Sequence, residues 1–302
     1  MRQRPFQQVD VFTATPLKGN PLAVVLDGEG LSDAQMQAFA AWTQLSETTF
    51  VLPPSSEGRA GGADYRVRIF TPGGELPFAG HPTLGTAHAW LAAGGQAQAA
   101  DQLVQECGVG LVTLRQQDGR YAFAAPALRR AEPGAATLVA VRDALGLAVD
   151  EVLAAQDLHN GPHWLGLLLP DVDTVLSLTP DHTALKQLGV KVGVAAKRDS
   201  AQGLIRRANR EARAFATHPD TTDLEVRGFA APVGIAEDPV TGSLNASLAQ
   251  WLIEDGHMPT RYRARQGTAL GRSGEVFVQR DAAGQVWIGG DVVGCVQGEV
   301  RL

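Results

Sequence analysis

Three residues have the types and settings that proton chemistry needs: His81, Asp238 and Glu47. His81 and Asp238 each stand directly before a proline, in His81-Pro82 and Asp238-Pro239, at what reads as the start of a helix. Asp is a good N-cap, and Pro fits the next position because it needs no amide partner. A helix start carries orphan backbone N–H groups and about half a positive charge. Two such starts facing one cleft would suit a carboxylate-bearing small molecule. An imidazole at one and a carboxyl at the other make an asymmetric titratable pair, as acid/base catalysis requires. Glu47 lies between an apolar helix face and an apolar strand, in Ser46-Glu47-Thr48-Thr49-Phe50-Val51. Partial desolvation there would raise its pKa. Each residue also has a plainer reading. His81 and Asp238 are then caps serving only their own helices, Glu47 is a solvated helix-end glutamate, and Thr86 and Ser243 are ordinary first-turn hydroxyls.

Other chemistries find little support. His159 and His163 have the spacing of a metal pair, but Gly161-Pro162 between them excludes a helix. There is no CxxC, so no metal site is expected. Cys107 and Cys295 are the only cysteines; they read as small core residues and imply a reducing, cytoplasmic setting. No GxGxxG follows a strand, and there is no Walker loop, GxSxG elbow or HExxH. The net charge of −6, with 26 scattered basic residues, argues against a nucleic-acid partner. No apolar run approaches the ~18 residues of a membrane helix, and MRQRPFQQVD at the start has no apolar signal core, so neither membrane nor secretion is expected.

Positioning these residues falls to a chain of 302 residues, enough for about two domains at roughly 150 residues each. Short β-branched or alternating runs predict strands near 6–12, 22–26, 48–52, 64–70, 110–115 and 120–124. A second set lies near 151–157, 163–169, 191–196, 203–208, 211–217, 223–229, 274–280 and 285–300. Four helices are predicted. The capping box Ser32-Asp33-Ala34-Gln35 opens one of about 33–44. His81-Pro82 opens a second, ended by Gly94-Gly95; Gly134 to Leu145 is a third; Asp238-Pro239 opens a fourth running to Asp255. Few helices among many strands suggest α+β rather than a doubly wound sheet. The second and fourth helices align without gaps, His81 on Asp238 and Gly85 on Gly242, and Val67-Arg68-Ile69-Phe70 upstream matches Val226-Arg227-Gly228-Phe229. Gly19-Asn20-Pro21 has a looser echo in Asn160-Gly161-Pro162. Three matches in one order argue for an internal duplication.

At these residues the chain resembles the phenazine-biosynthesis isomerase (PhzF-like) family of the diaminopimelate epimerase-like superfamily. The matching segments are Val9-Asp10-Val11-Phe12, Gly19-Asn20-Pro21-Leu22-Ala23-Val24, Ser46-Glu47-Thr48-Thr49-Phe50, and Phe70-Thr71-Pro72 through Gly80-His81-Pro82-Thr83. Further on they are Glu237-Asp238-Pro239-Val240-Thr241-Gly242-Ser243 and Arg265-Gln266-Gly267 to Gly271-Arg272. The resemblance implies two similar lobes, each a closed, bent sheet around a central helix, related by a pseudo-two-fold axis with the site between them. Residues 1–125, open to completion by the strand near 292–302, would form one lobe and residues 126–291 the other. It implies cofactor-free acid/base chemistry and a homodimer. The family's catalytic glutamate, histidine and aspartate fall on Glu47, His81 and Asp238, and its hydroxyl ligand on Ser243. Ser46, Gly80 and Gly242 fall near the substrate. The superfamily's epimerases and proline racemases use paired cysteines at the two helix starts; this chain has none there. Many nearer relatives have Ala-His after the Gly-Ser, where this chain has Leu244-Asn245.

The expectation is a cofactor-independent isomerase moving a proton on a small carboxylate-bearing metabolite. The alternatives are a catalytically silent metabolite-binding protein and a cysteine-independent racemase or epimerase.

Overall fold

The computed structural model describes residues 2–198 and 222–302. The strands expected at 203–208 and 211–217 lie outside the described residues. The rest is a mixed α/β fold in which all the strands join one hydrogen-bonded network.

One connectivity occurs twice. β1 (Gln3–Val11) pairs antiparallel with β2 (Asn20–Val25), which runs parallel to β3 (Thr48–Leu52). β3 pairs antiparallel with β4 (Tyr65–Thr71). β4 carries the short hairpin strand β5 (Gly74–Leu76) and lies parallel to β6 (Gln102–Cys107). β7 (Gly110–Gln117) and β8 (Arg120–Ala124) then follow as antiparallel neighbours. The second half repeats this order with β10 (Ala154–His159), β11 (His163–Leu168), β12 (Val192–Lys197), β13 (Leu224–Ala230), β14 (Ile235–Asp238), β15 (Arg261–Gln266), β16 (Gly274–Arg280) and β17 (Val286–Gly289). Two strands cross over. β9 (Arg129–Ala131) pairs with β10, and β18 (Val292–Arg301) returns to pair with β1. β8 and β17 join the halves.

The repeat reaches individual side chains. Arg68 on β4 grips Glu75 on β5 through Nε and Nη2 (2.7 and 2.6 Å), with its guanidinium 5.0 Å above Phe70. Arg227 on β13 grips Glu237 on β14 in the same way (3.0 and 2.8 Å), 5.0 Å above Phe229. Phe70 and Phe229 are thus equivalent, as the sequence match implies.

Among the described residues seven helices flank or fill this framework: α1 (Asp33–Thr43), α2 (Ser56–Ala60), α3 (Gly80–Ala92), α4 (Ala135–Leu145), α5 (Val172–Ser177), α6 (His182–Leu188) and α7 (Gly242–Glu254). Ser32 caps α1 in the predicted capping box, and Gln35 reaches back to the Ser32 amide. α3 and α7 form the core. α3 packs against β1, β2, β3, β8 and β18, and α7 against β10, β11, β16 and β17. Both are buried on nearly every side, which suits their runs of small and aliphatic residues.

The fourth predicted helix needs correcting at its start. Asp238 ends β14, in register with Gly228, and the helix begins only at Gly242 with Thr241 as N-cap. The Asp238 carboxyl accepts from the Thr241 hydroxyl rather than from a helix amide, so it does not act as a cap. Likewise α3 begins at Gly80, with Ala79 as N-cap, one residue before His81. Gly80 and Gly242 are therefore the matching first residues. The gapless alignment of His81 on Asp238 is out of step, and the structural counterpart of His81 is Ser243.

Candidate active site

The starts of α3 and α7 meet. A Cβ placed on Gly242 would lie 3.3 Å from the Gly80 Cα and 3.3 Å from the His81 amide nitrogen. One placed on Gly80 would strike the Phe123 ring at 2.5 Å. Glycine at both positions is what allows two helix N-termini to stand side by side. Neither start carries a side-chain cap, whereas Ser32, Ser55, Asp171 and Asp181 cap α1, α2, α5 and α6. The first amides of α3 and α7 have no partner within their own helices, and their dipoles favour an anion at this point.

Glu47, His81 and Asp238 converge beside these helix starts. Glu47 comes from the short link between α1 and β3, and its Oε2 lies 3.6 Å from His81 Nδ1. That is longer than a hydrogen bond. His81, the second residue of α3, is 4% exposed. Three buried atoms here, Ser46 Oγ, Glu47 Oε2 and His81 Nε2, have no hydrogen-bond partner among the described residues. Asp238 is better held: Asn20 Nδ2 donates to Oδ1 (2.8 Å) and Thr241 Oγ1 to Oδ2 (2.7 Å). Ser243 follows Gly242 at the start of α7, and its Oγ accepts from Trp164 Nε1 of β11 (3.3 Å). Asn160 Nδ2 donates to the Ser243 carbonyl (3.1 Å).

Burial sets the protonation states. It lifts the Glu47 carboxyl to a pKa of about 7, against a smaller downward pull from the Ser46 hydroxyl. It pushes the His81 imidazole down to about 4, although the negative charges of Asp238 and Asp10 and the Pro21 carbonyl favour the charged ring. It raises Asp238 to about 6; the charge of Glu47 adds to the rise, while His81, Thr241 and Asn20 oppose it. Near neutral pH the site thus holds a neutral imidazole, a largely ionised Asp238 and a Glu47 carboxyl close to half protonation.

Residues 9–298 match the family described as phenazine biosynthesis-like protein. The chain belongs to that family. It is 32% identical to the antisense-enhancing sequence 1 of Schizosaccharomyces pombe over 99% of both chains. It is also 32% identical to the trans-2,3-dihydro-3-hydroxyanthranilate isomerase of Pseudomonas fluorescens, over 90% of this chain and 89% of that one. The crystal structure of a Bacillus anthracis phenazine biosynthesis protein of the PhzF family shares the fold, with a TM-score of 0.81 at 22% identity covering the whole of both chains.

In this phenazine biosynthesis-like chain the two cysteines stand away from the paired helix starts. Cys107 ends β6 and is buried, and Cys295 lies in β18. Among the described residues no cluster of three or more His, Cys, Asp or Glu side chains could hold a metal ion, and no helix is long and apolar enough to cross a membrane. His159 and His163 face each other across the β10–β11 pair, where His163 contacts Asp157 (3.2 Å) and His159 contacts Arg129 (3.3 Å). The Leu244-Asn245 pair after Ser243 has a local explanation. Leu244 is fully buried, and Asn245 Nδ2 donates to the Thr241 carbonyl (3.0 Å) and to Gln266 Oε1 (2.8 Å). Asn20, Thr241, Gln266 and Trp164 were not among the expected site residues. Asn20, Thr241 and Gln266 lie in the matching segments, but the bonds of Asn20 and Gln266 depend on approaches between distant parts of the chain, and Thr241 reaches Asp238 only because the helix starts after it rather than at Asp238.

Proposed function

We propose that this isomerase relocates a proton within a small, carboxylate-bearing substrate, without a cofactor, and that Glu47 carries the proton. The reading rests above all on one observation: Glu47 Oε2 is buried, has no hydrogen-bond partner among the described residues, and stands 3.6 Å from a buried histidine beside two uncapped helix starts. A carboxyl lifted to about 7 by burial matches its proton affinity to neutral solution, where a general base that must later act as an acid works best.

The residues divide the work as follows. The substrate carboxylate is held by the first amides of α3 and α7, from Gly80 and Gly242 onward, together with the Ser243 hydroxyl, which Trp164 orients. Ser46 and the Glu47 Oε2 face the reacting carbon. Glu47 takes the proton from a carbon made acidic by a neighbouring alkene, imine or carbonyl, and returns it at another carbon of the same system. His81, kept neutral by burial, offers an N–H or a lone pair to the shifting charge. Asp238 takes a hydrogen bond from the substrate, while burial alone keeps the Glu47 proton affinity high. In this reading residues 1–125, with the returning strand near 292–302, form one lobe and residues 126–291 the other. The protein works in the cytoplasm as a homodimer.

A relative named trans-2,3-dihydro-3-hydroxyanthranilate isomerase makes that compound the first substrate to try. By its name it bears a carboxylate, an amine and a hydroxyl on an unsaturated ring. Incubation with the protein in heavy water, followed by proton NMR, should show the ring protons rearranging and deuterium entering one carbon. An unchanged spectrum with this compound and with its close carboxylated analogues would dismiss the reading.

A further inference from the structure

Asp238 is held by two donors from different parts of the chain, one on each oxygen. The direction of these bonds follows from the chemistry around them. Asn20 Nδ2, which lies 2.8 Å from Asp238 Oδ1, is also 2.9 Å from the Val240 carbonyl oxygen, which can only accept; the Asn20 amide must therefore present its NH2 group here. Gln266 Oε1 accepts from the Thr241 amide (3.0 Å), which leaves Gln266 Nε2 to donate to the Asp238 carbonyl and to Thr241 Oγ1 (3.0 Å each). With a lone pair engaged by Gln266, the Thr241 hydroxyl gives its proton to Asp238 Oδ2. Both side-chain bonds to the Asp238 carboxyl are thus donations, an arrangement that favours the carboxylate over the neutral acid.

Thr241 and Gln266 come from the same repeat as Asp238. Asn20 comes from the other. It is the first residue of β2, opposite Val11 in the β1–β2 ladder, and only 1% exposed. The Gly19 amide just before it donates to Asp10 Oδ2 (2.9 Å), and Asp10 is itself 1% exposed. Asn20 therefore reaches the second repeat from a rigid base. Three other titratable groups bear on this region: Glu47 ahead of β3 opposes the Asp238 charge, His81 on α3 favours it, and Asp10 acts on His81.

We propose that Asn20 is a positioning residue for the reaction, reaching from the first repeat to fix both the orientation and the charge of Asp238 beside Glu47 and His81. This rests on the functional reading given above, in which Asp238 works on the substrate as an acceptor.

The test starts with a measurement that needs no substrate. Asp residues are labelled with 13C at the side-chain carboxyl, and the signal lost in Asp238→Asn is assigned to Asp238 and titrated. The parent midpoint lies at about 6. In Asn20→Ala it should rise by roughly one to two pH units, the loss expected for one hydrogen bond to a charged group. Asn20→Asp keeps the size and shape of the side chain, and should raise the midpoint further because two carboxyls then share one site. It also keeps the question open to test should Asn20→Ala fail to fold. With trans-2,3-dihydro-3-hydroxyanthranilate turnover in hand, KM should change little, while kcat falls and its acid limb moves up with the midpoint. A purely structural tie would lower the melting temperature and leave midpoint and limb in place. A folded variant of either kind with an unmoved midpoint, or a moved midpoint with an unmoved limb, overturns the proposal. A parent protein that turns over neither this compound nor its analogues defeats the functional reading instead, whatever the titration shows.

Discussion

Replacing Glu47 by Gln should make the protein more stable, and only above the pH at which the native carboxyl ionises. The side chain keeps its size and loses only its charge. In the folded protein Glu47 titrates at about 7, against 4.5 for a free glutamate side chain. That difference is worth about 3 kcal/mol at about 1.4 kcal/mol per unit. The side chain is 15% exposed, so solvent screening trims this to about 2 kcal/mol. The sign follows from proton binding. Below pH 4.5 both folded and unfolded Glu47 hold the proton, and ionisation costs nothing. Between 4.5 and 7 the unfolded chain releases it first, so the parent loses stability as the pH rises, and above 7 the full penalty is present. Thermal melts of parent and Glu47→Gln at pH 8 should therefore differ by about 3 °C in favour of the variant, given the size of the chain. The gap should close at pH 4.5. A variant equally or less stable than the parent at pH 8, or a gap that does not change with pH, would refute the claim that burial raises the Glu47 pKa.

Two further outcomes follow from the same geometry. The Arg227–Glu237 pair is buried, at 6% and 7% side-chain exposure, and Arg227 also donates to the Val175 and Leu178 carbonyls; its repeat counterpart Arg68–Glu75 is 18% and 41% exposed. Urea melts of Arg227→Ala should show a loss of about 3–5 kcal/mol, and those of Arg68→Ala about 1 kcal/mol, with equal losses contradicting the burial argument. Replacing Cys107 and Cys295 together by Ala should leave isomerase activity largely intact, measured as turnover after correction for folded fraction, since neither cysteine lies at a helix start; complete loss in a folded double variant would favour thiol chemistry.

The parts of the fold written in local code were legible. The Ser32 capping box gave α1, and Gly146, in the left-handed region that glycine favours, ended α4 where expected. β6 and β15 escaped because their inward faces are thinly apolar: Leu103, Gln105 and Cys107 in one, Tyr262, Ala264 and Gln266 in the other, set among outward residues that are charged or polar apart from Val104. The buried glutamines are satisfied by long-range bonds that no window of sequence contains: Tyr65 and Thr83 for Gln105, Thr241 and Asn245 for Gln266. Asp238-Pro239 misled for a related reason. It carries a good helix-start signal, yet pairing of Asp238 with Gly228 and capture of its carboxyl by Thr241 and Asn20 hold it in a strand. The residue types that meet in the site were readable, and so was the existence of a repeat, but not its step at the site, where His81 corresponds to Ser243 and not to Asp238. The Gly80–Gly242 approach and the reach of Asn20 across the repeat were not, because both depend on how the two halves pack.

The most direct test of the central claim is the proton count on Glu47→Gln during turnover. Trans-2,3-dihydro-3-hydroxyanthranilate is mixed with the parent or the variant in heavy water, and product formation, deuterium content and ligand affinity are measured on the same samples. General acid/base groups contribute about 10²–10⁴-fold, and a sole proton carrier should reach the upper end. If Glu47 carries the proton, the variant binds the compound with near-parental affinity, forms product at least about 10³-fold more slowly and incorporates no deuterium beyond the uncatalysed background. A folded variant that forms labelled product at the parent rate would remove Glu47 from the mechanism.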